Sequence, residues 1–191
     1  ESDFAVTKFV SAVQPYLSLF SETNINIETI TAVQNVDKIL DKHHKNITGV
    51  VVGRTDLALS MGLTRKDVNS QEVMEKVELA LAAAKRYNLT TTMGGSVNMN
   101  SIPCIVDMAS KDLLDRFETR KVIMRSSLVE KEIEQKLKYA FEIETIFLER
   151  TLMRYEKGQL LASDRIKAIR DRGSRWIQIT IKRNLVAMNQ K

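Results

Sequence analysis

One segment of the chain constrains the fold more than any other, because it has the pattern of a strand, a helix and a second strand. Residues 26–29, Asn26-Ile27-Glu28-Thr29, are predicted as a short strand, and residues 49–53 form a valine run bounded by glycines. Between them, apolar residues recur at helical spacing, at Val33, Val36, Ile39 and Leu40. Strand, helix and strand in this order predict parallel strands of an α/β fold, with both carboxyl ends at one edge of the sheet.

Each of the two predicted strands is followed by a carboxylate. Glu28 ends the first strand, and Asp56 comes shortly after the second. Two carboxylates meeting at one sheet edge form a hard oxygen site that suits Mg²⁺ or Mn²⁺, with the other positions left to water and substrate. The spacing alone also allows a plainer interpretation, in which Glu28 caps a helix or pairs with a lysine and Asp56 caps the next helix.

The motifs around these carboxylates resemble the HpcH/HpaI aldolase and citrate lyase β-subunit family. The resemblance rests on Ile27-Glu28-Thr29, on the helix that follows, and on Val52-Gly53-Arg54-Thr55-Asp56-Leu57 with Met61-Gly62. It implies a (β/α)8 barrel that makes or breaks a carbon–carbon bond through a metal-stabilised enolate. A 2-oxoacid or an acyl-CoA thioester is the implied substrate, and Mg²⁺ or Mn²⁺ the implied cofactor.

Carried over by position, the resemblance implies that Glu28 and Asp56 are metal ligands. It also implies that the backbone amides around Gly53, Thr55 and Asp56 receive the substrate carboxylate. Arg54 departs from the family pattern, which has proline there. A guanidinium at this point either grips a substrate carboxylate or phosphate, or lies in solvent or in a salt bridge.

A third predicted strand, residues 89–97, contains the pair Gly94 and Gly95. Glycines allow a backbone to approach an anion closely, so this pair is a second candidate for substrate binding, with an ordinary strand-to-loop turn as the alternative. A short helix over 107–114 and a last strand over 120–124 follow. The run Phe117-Glu118-Thr119-Arg120-Lys121 also resembles relatives of the aldolase family that have a helical C-terminal extension.

Mapped onto the family pattern, the chain supplies the C-terminal portion of a TIM barrel. We expect strands five to eight with their helices in residues 1–128 and a helical C-terminal extension in residues 129–191. A full barrel typically needs about 250 residues, and this chain has 191. The expectation is therefore a fragment or processed chain, whose substrate-binding arginine and general acid or base lie upstream. Exposed sheet edges then predict a homo-oligomer, or pairing with the missing N-terminal half.

The extension has an amphipathic helical pattern, with Gly158 and Gly173 predicted to separate its helices. Residues 176–181 alternate like a strand, but residues 176–188 fit one face of a helix equally well, and the resemblance to the family favours the helix. Residues 129–191 carry 14 basic and 9 acidic side chains, so the net charge of +5 lies entirely in this segment. The basic residues are neither clustered nor interleaved with aromatics, which argues against nucleic-acid binding.

The whole-chain composition is that of a globular domain, with 43% hydrophobic and 28% charged residues. No apolar run is long enough to span a membrane and no signal peptide is evident, so we expect a cytoplasmic protein without a membrane partner. Two functions follow from the sequence. The first is a metal-dependent carbon–carbon lyase. The second is a catalytically incomplete barrel fragment that acts as an assembly or interaction module.

Overall fold

The computed structural model describes the backbone of residues 2–188, with side chains through residue 164 and at Lys167. The chain divides into two units, Glu1–Glu144 and Thr145–Lys191. The strands are β1 (Asn24–Ile27), β2 (Gly49–Gly53), β3 (Thr90–Gly94), β4 (Arg116–Glu118) and β5 (Ile123–Arg125). The helices are α1 (Asp3–Val13), α2 (Ile30–Gln34), α3 (Val36–His43), α4 (Arg54–Ser60), α5 (Gln71–Arg86), α6 (Ile102–Ser110) and α7 (Glu130–Met188).

All five strands lie in the first unit and form one sheet in the order β1-β2-β3-β4-β5. Strands β1 to β4 are parallel, and β5 runs antiparallel to β4. Helices connect the parallel strands, as the strand–helix–strand pattern predicts. The α/β class is therefore confirmed, and the closure of these strands into part of a barrel stays a prediction.

The last strand differs from the prediction over residues 120–124. The fourth parallel strand is β4, at Arg116–Glu118, and the chain then turns back as β5. The turn is closed by the Thr119 N–H, which donates to the Val122 carbonyl at 2.9 Å. Ile123 favours a strand whether that strand is parallel or antiparallel to its neighbour, so the sequence pattern did not reveal the reversal. The short helix also begins earlier than predicted, with α6 at Ile102–Ser110.

The core lies between the sheet and the helices that pack on one of its faces. Alternate strand residues point into this core, including Ile27, Val52, Met93 and Phe117, which are at most 1% exposed. Helix α5 packs on β2 and β3, and its Val77 and Leu81 are fully buried. Each such side chain contributes about 1.5–3 kcal/mol by leaving water. The opposite face of the sheet carries Asn26, Val51 and Arg116, which are less buried.

Helix α7 begins in the first unit, where Ile133, Leu137 and Ala140 are buried. It continues to Met188 as one helix, so the predicted breaks at Gly158 and Gly173 are wrong. A glycine inside a helix costs about 1 kcal/mol relative to alanine, which weakens a helix without ending it. The helical prediction for 176–188 agrees with the backbone. In the second unit, residues 145–164 leave many large apolar side chains exposed, including Leu148, Leu152, Met153, Tyr155, Leu160 and Leu161.

Within the residues that the structure describes, none of the helices combines the length and the apolar character that crossing a bilayer requires.

Candidate active site

The candidate site lies at the carboxyl edge of the parallel strands, where four strand ends meet one cavity of about 690 Å³. The register aligns Gly53 with Gly94, and Met93 with Phe117. Glu28 follows β1, whose last residue Ile27 aligns with Val52. The lining includes Asn26, Glu28, Val51, Gly53, Thr55, Asp56, Arg65, Gly95, Ser96, Glu118, Thr119, Arg120, Lys121 and Glu144.

Glu28 lines this cavity with its side chain against the end of β2. A Cβ at Gly53 would lie 2.8 Å from Glu28 Oε2, so a side chain at position 53 would displace this carboxylate. Asn26 Nδ2 donates to the same oxygen at 3.3 Å. The helix that follows is capped by Thr29, whose hydroxyl accepts from the Ala32 N–H at 3.1 Å. The alternative in which Glu28 caps a helix is therefore wrong.

Asp56 lies in the first turn of α4, and its exposed side chain lines the same cavity. The residue at the cap position of α4 is Gly53, which excludes the alternative in which Asp56 is the N-cap. Among the described residues, neither Glu28 nor Asp56 forms a salt bridge. The structure thus brings both predicted ligands to one cavity without a competing structural role.

Arg54 does not line this cavity. Its side chain is fully buried, which rules out the solvated alternative, and its acceptors are all neutral, which rules out the salt bridge. The Arg54 Nε donates to the Gly94 carbonyl at 3.1 Å, and Nη2 donates to the Gly95 carbonyl at 3.1 Å. Nη1 donates to Asn69 Oδ1 at 2.5 Å, and Nη2 also donates to Ser101 Oγ at 3.3 Å. Burial lowers the pKa of Arg54 to about 10, which still leaves it cationic at neutral pH.

This geometry makes Arg54 a structural clamp between strand ends, and it corrects the expectation that the guanidinium reaches toward substrate. Arg54 points inward because carbonyl oxygens such as those of Gly94 and Gly95 lie in a space closed to solvent and need hydrogen-bond donors. A guanidinium has five N–H donors and can serve several of these oxygens at once.

The two glycines after Met93 have different surroundings. Gly94 lies under Glu118, because a Cβ at position 94 would lie 2.7 Å from Glu118 Oε1. Gly95 has φ +81° and lies against the start of α4, where a Cβ would lie 2.5 Å from the backbone nitrogens of both Arg54 and Thr55. Next to it, the hydroxyls of Thr55 and Ser96 are 2.9 Å apart. The glycines thus allow close packing of two strand ends, and their contact with substrate stays a prediction.

Glu118, a residue that the sequence analysis did not assign to the site, faces the cavity from β4. It is half-buried, and burial raises the pKa of its carboxyl. Its neighbour Thr119 has a buried hydroxyl oxygen without a hydrogen-bond partner in the described structure. A signal was present in the sequence, because an apolar residue followed by Glu and Thr occurs at the ends of both β1 and β4, as Ile27-Glu28-Thr29 and Phe117-Glu118-Thr119.

The donor chemistry fits a hard divalent cation held by few protein ligands. Among the described residues, no group of three or more His, Cys, Asp or Glu side chains is placed to hold a metal. Mg²⁺ commonly binds through one or two carboxylates and keeps water and substrate oxygens as its other ligands. Glu28 and Asp56, both on the wall of one cavity, match that smaller requirement.

Comparison with known proteins finds a family model that matches part of this chain. Residues 22–100 match the HpcH/HpaI aldolase/citrate lyase family model, which confirms the resemblance noted from the motifs. No curated protein sequence matches the chain.

Three similar solved structures each have a TM-score near 0.4. An HpcH/HpaI aldolase from Desulfitobacterium hafniense is 20% identical, over 50% of this chain and 34% of that one, with a TM-score of 0.42. An HpcH/HpaI aldolase/citrate lyase family protein from Burkholderia cenocepacia is 17% identical, over 63% of this chain and 42% of that one, with a TM-score of 0.41. A variant of the citrate synthase SbnG is 12% identical, over 64% of this chain and 48% of that one, with a TM-score of 0.42. The chain thus spans between a third and a half of these structures.

Proposed function

Because residues 22–100 match the HpcH/HpaI aldolase/citrate lyase family model, we propose that the protein is a metal-dependent carbon–carbon lyase. Its substrate is a 2-oxoacid or an acyl-CoA thioester that is cleaved or formed through an enolate. One observation carries the proposal: Glu28 and Asp56, the two family ligand positions, line the same cavity and neither serves as a helix cap.

In this proposal Glu28 and Asp56 hold Mg²⁺ or Mn²⁺, which when bound supplies a Lewis acid to the substrate oxygens. The chain itself positions the substrate. No side chain caps the start of α4, so the backbone N–H groups around Thr55 and Asp56 are suited to a substrate carboxylate. Gly53 keeps this corner free of a side chain that would displace Glu28.

Three cationic side chains of the cavity wall are candidate contacts for an anionic substrate. Arg65, Arg120 and Lys121 line the cavity together with the carboxylates of Glu28, Asp56, Glu118 and Glu144. An arginine or lysine among these carboxylates can pair directly with a substrate carboxylate or phosphate. Both proposed substrate classes are anionic, a 2-oxoacid through its carboxylate and a CoA thioester through its phosphates.

The first test is a calorimetric titration of Mn²⁺ into the wild-type protein and into Asp56→Ala and Glu28→Gln. We expect binding in the wild type and a loss of at least tenfold in affinity in each variant, since each removes one of two charged ligands. Asp41→Ala is the matched control, because Asp41 is an exposed carboxylate at the far end of α3. Equal heats in all four proteins would overturn the proposal and favour an assembly module.

The second test is chemical. Release of pyruvate, or cleavage of a thioester, should require the added divalent cation and should disappear in Asp56→Ala. Activity that survives both removal of the cation and the Asp56→Ala substitution would contradict a metal-dependent reaction at this site.

A further inference from the structure

We propose that Glu118 is a catalytic residue of this site, the group that takes a proton from the substrate and returns it to carbon. The inference rests on the proposed lyase function and deepens it. It supplies, from within the described chain, the proton-transfer group that the sequence analysis expected only upstream.

The first support is the arrangement of one row of residues across the sheet. In order of strands, the row is Glu28, Gly53, Gly94 and Glu118, with a glutamate at each side and two glycines between them. Glu28 lies over Gly53, and Glu118 lies over Gly94, with the distances to a glycine Cβ given above. Neighbouring strands are about 4.8 Å apart, so the two carboxylates lean toward each other over adjacent strands.

The second support is the condition of the Glu118 carboxyl. Burial alone raises its pKa, since no described hydrogen bond or neighbouring charge acts on it. By contrast, Glu22 on the same protein has its pKa lowered by the paired guanidinium of Arg116. A carboxyl without a partner, in a cavity, with a raised pKa, is suited to exchange protons nearer to neutral pH.

The third support is the neighbouring hydroxyl. Thr119 Oγ1 is buried in the same wall and has no hydrogen-bond partner in the described structure. Buried polar groups are rarely left unsatisfied. The Thr119 hydroxyl and the neighbouring Glu118 carboxyl therefore give this wall hydrogen-bonding capacity that a ligand can use.

The proton transfer balances without any added reactant. The Glu118 carboxylate takes the proton of the substrate hydroxyl, the oxygen forms a carbonyl, and the adjacent carbon–carbon bond breaks. The electron pair of that bond passes to the carbonyl-bearing fragment, which becomes an enolate while an aldehyde or ketone leaves. Protonated Glu118 then gives the same proton to the enolate carbon, and the carboxylate is restored.

By microscopic reversibility, the same group exchanges protons next to the carbonyl of the product. The test follows loss of the methyl signal by proton NMR in D₂O, with Mg²⁺ and either pyruvate or acetyl-CoA as the probe. We expect exchange in the wild type, and a rate at least about 100-fold lower in Glu118→Gln, as is typical for loss of a general acid or base. KM for the probe should change little. Glu75→Gln, an exposed carboxylate on α5, is the matched control.

The outcomes separate this inference from the proposed function. Glu118 is supported as the proton carrier if wild type and Glu75→Gln exchange the probe's protons and Glu118→Gln does not, while Glu118→Gln binds Mn²⁺ as tightly as wild type. Equal exchange in wild type and Glu118→Gln overturns the inference and leaves the lyase proposal standing. A Glu118→Gln variant that has lost Mn²⁺ affinity as well also overturns it, because Glu118 then acts on the cation. No exchange in the wild type overturns the lyase proposal, and this inference with it.

Discussion

Arg54 is the residue whose environment departs most from ordinary surface chemistry. A buried cation whose acceptors are all neutral is stable only because its donors are used by Gly94, Gly95, Asn69 and Ser101. The sequence showed only that a guanidinium replaces the proline of the family pattern. It did not show where the side chain points, because the acceptors come from two loops that are far apart along the chain.

We expect Arg54→Met to lower the free energy of unfolding by about 2–4 kcal/mol, because several buried carbonyl and side-chain oxygens lose their donors. Arg54→Lys should recover part of this, since it restores the charge without the forked geometry. Urea unfolding measures both. Arg86→Met is the control, because Arg86 forms an exposed ion pair with Asp37, and such pairs contribute about 0–1 kcal/mol. Equal losses for Arg54→Met and Arg86→Met would contradict the clamp.

Glu118 gives a pH-dependent prediction of definite sign. Its carboxyl has a pKa above the ordinary value in the folded protein, so the folded state binds more protons than the unfolded state over the intervening range. The free energy of unfolding therefore falls as the pH rises from the ordinary carboxyl pKa through the folded pKa. Glu118→Gln cannot ionise, so it should melt at a higher temperature than wild type at pH 7 and at a similar temperature at pH 4.

Thermal melts of the cation-free proteins at the two pH values check this expectation. A Glu118→Gln variant that is less stable than wild type at pH 7 would show that the carboxylate is stabilised by contacts other than those described. Glu75→Gln again provides the exposed substitution for comparison.

At the scale of elements, Gly53 at the end of β2 makes room for Glu28, the proposed metal ligand, and Gly94 at the end of β3 makes room for Glu118, the proposed proton carrier. Gly53→Ala places a methyl group 2.8 Å from Glu28 Oε2, and Gly94→Ala places one 2.7 Å from Glu118 Oε1. We expect Gly53→Ala to weaken Mn²⁺ binding and Gly94→Ala to slow proton exchange while Mn²⁺ affinity is kept. Gly158→Ala is the control, because nothing lies within 4 Å of a Cβ there.

Calorimetry and the exchange assay, applied to all three glycine variants, test this division. If Gly53→Ala and Gly94→Ala both lose Mn²⁺ binding to the same extent, the two glutamates do not have separate roles. Gly158→Ala should keep both activities and gain about 0.5–1 kcal/mol in helix stability.

The elements differ in how far the sequence predicted them. The strand–helix–strand segment was predicted well, because buried valines and helical periodicity are local signals. The reversal after β4 was missed, since the turn from Thr119 to Val122 contains none of the glycine, asparagine or proline residues that usually mark a hairpin. The continuity of α7 was also missed, because a glycine in the sequence was interpreted as the end of a helix. One glycine costs a helix only about 1 kcal/mol relative to alanine, which is too little to end a long helix.

At the scale of the whole molecule, the described sheet has β1 and β5 at its edges, and residues 145–164 expose a series of large apolar side chains. Exposed edges and apolar surfaces of this kind usually have a partner. We therefore expect the protein to self-associate, which sedimentation equilibrium at several concentrations would show. A monomer at all concentrations would contradict the expectation.

The Arg54 clamp has a further consequence for how ligands arrive. Because one guanidinium ties the loop after β3 to the start of α4, the two walls of the cavity are fixed in relation to each other before anything binds. Little chain motion then has to be arrested on binding, so the entropic cost of ordering is small. Diffusional encounter, rather than closure of a loop, should therefore set the rate of association.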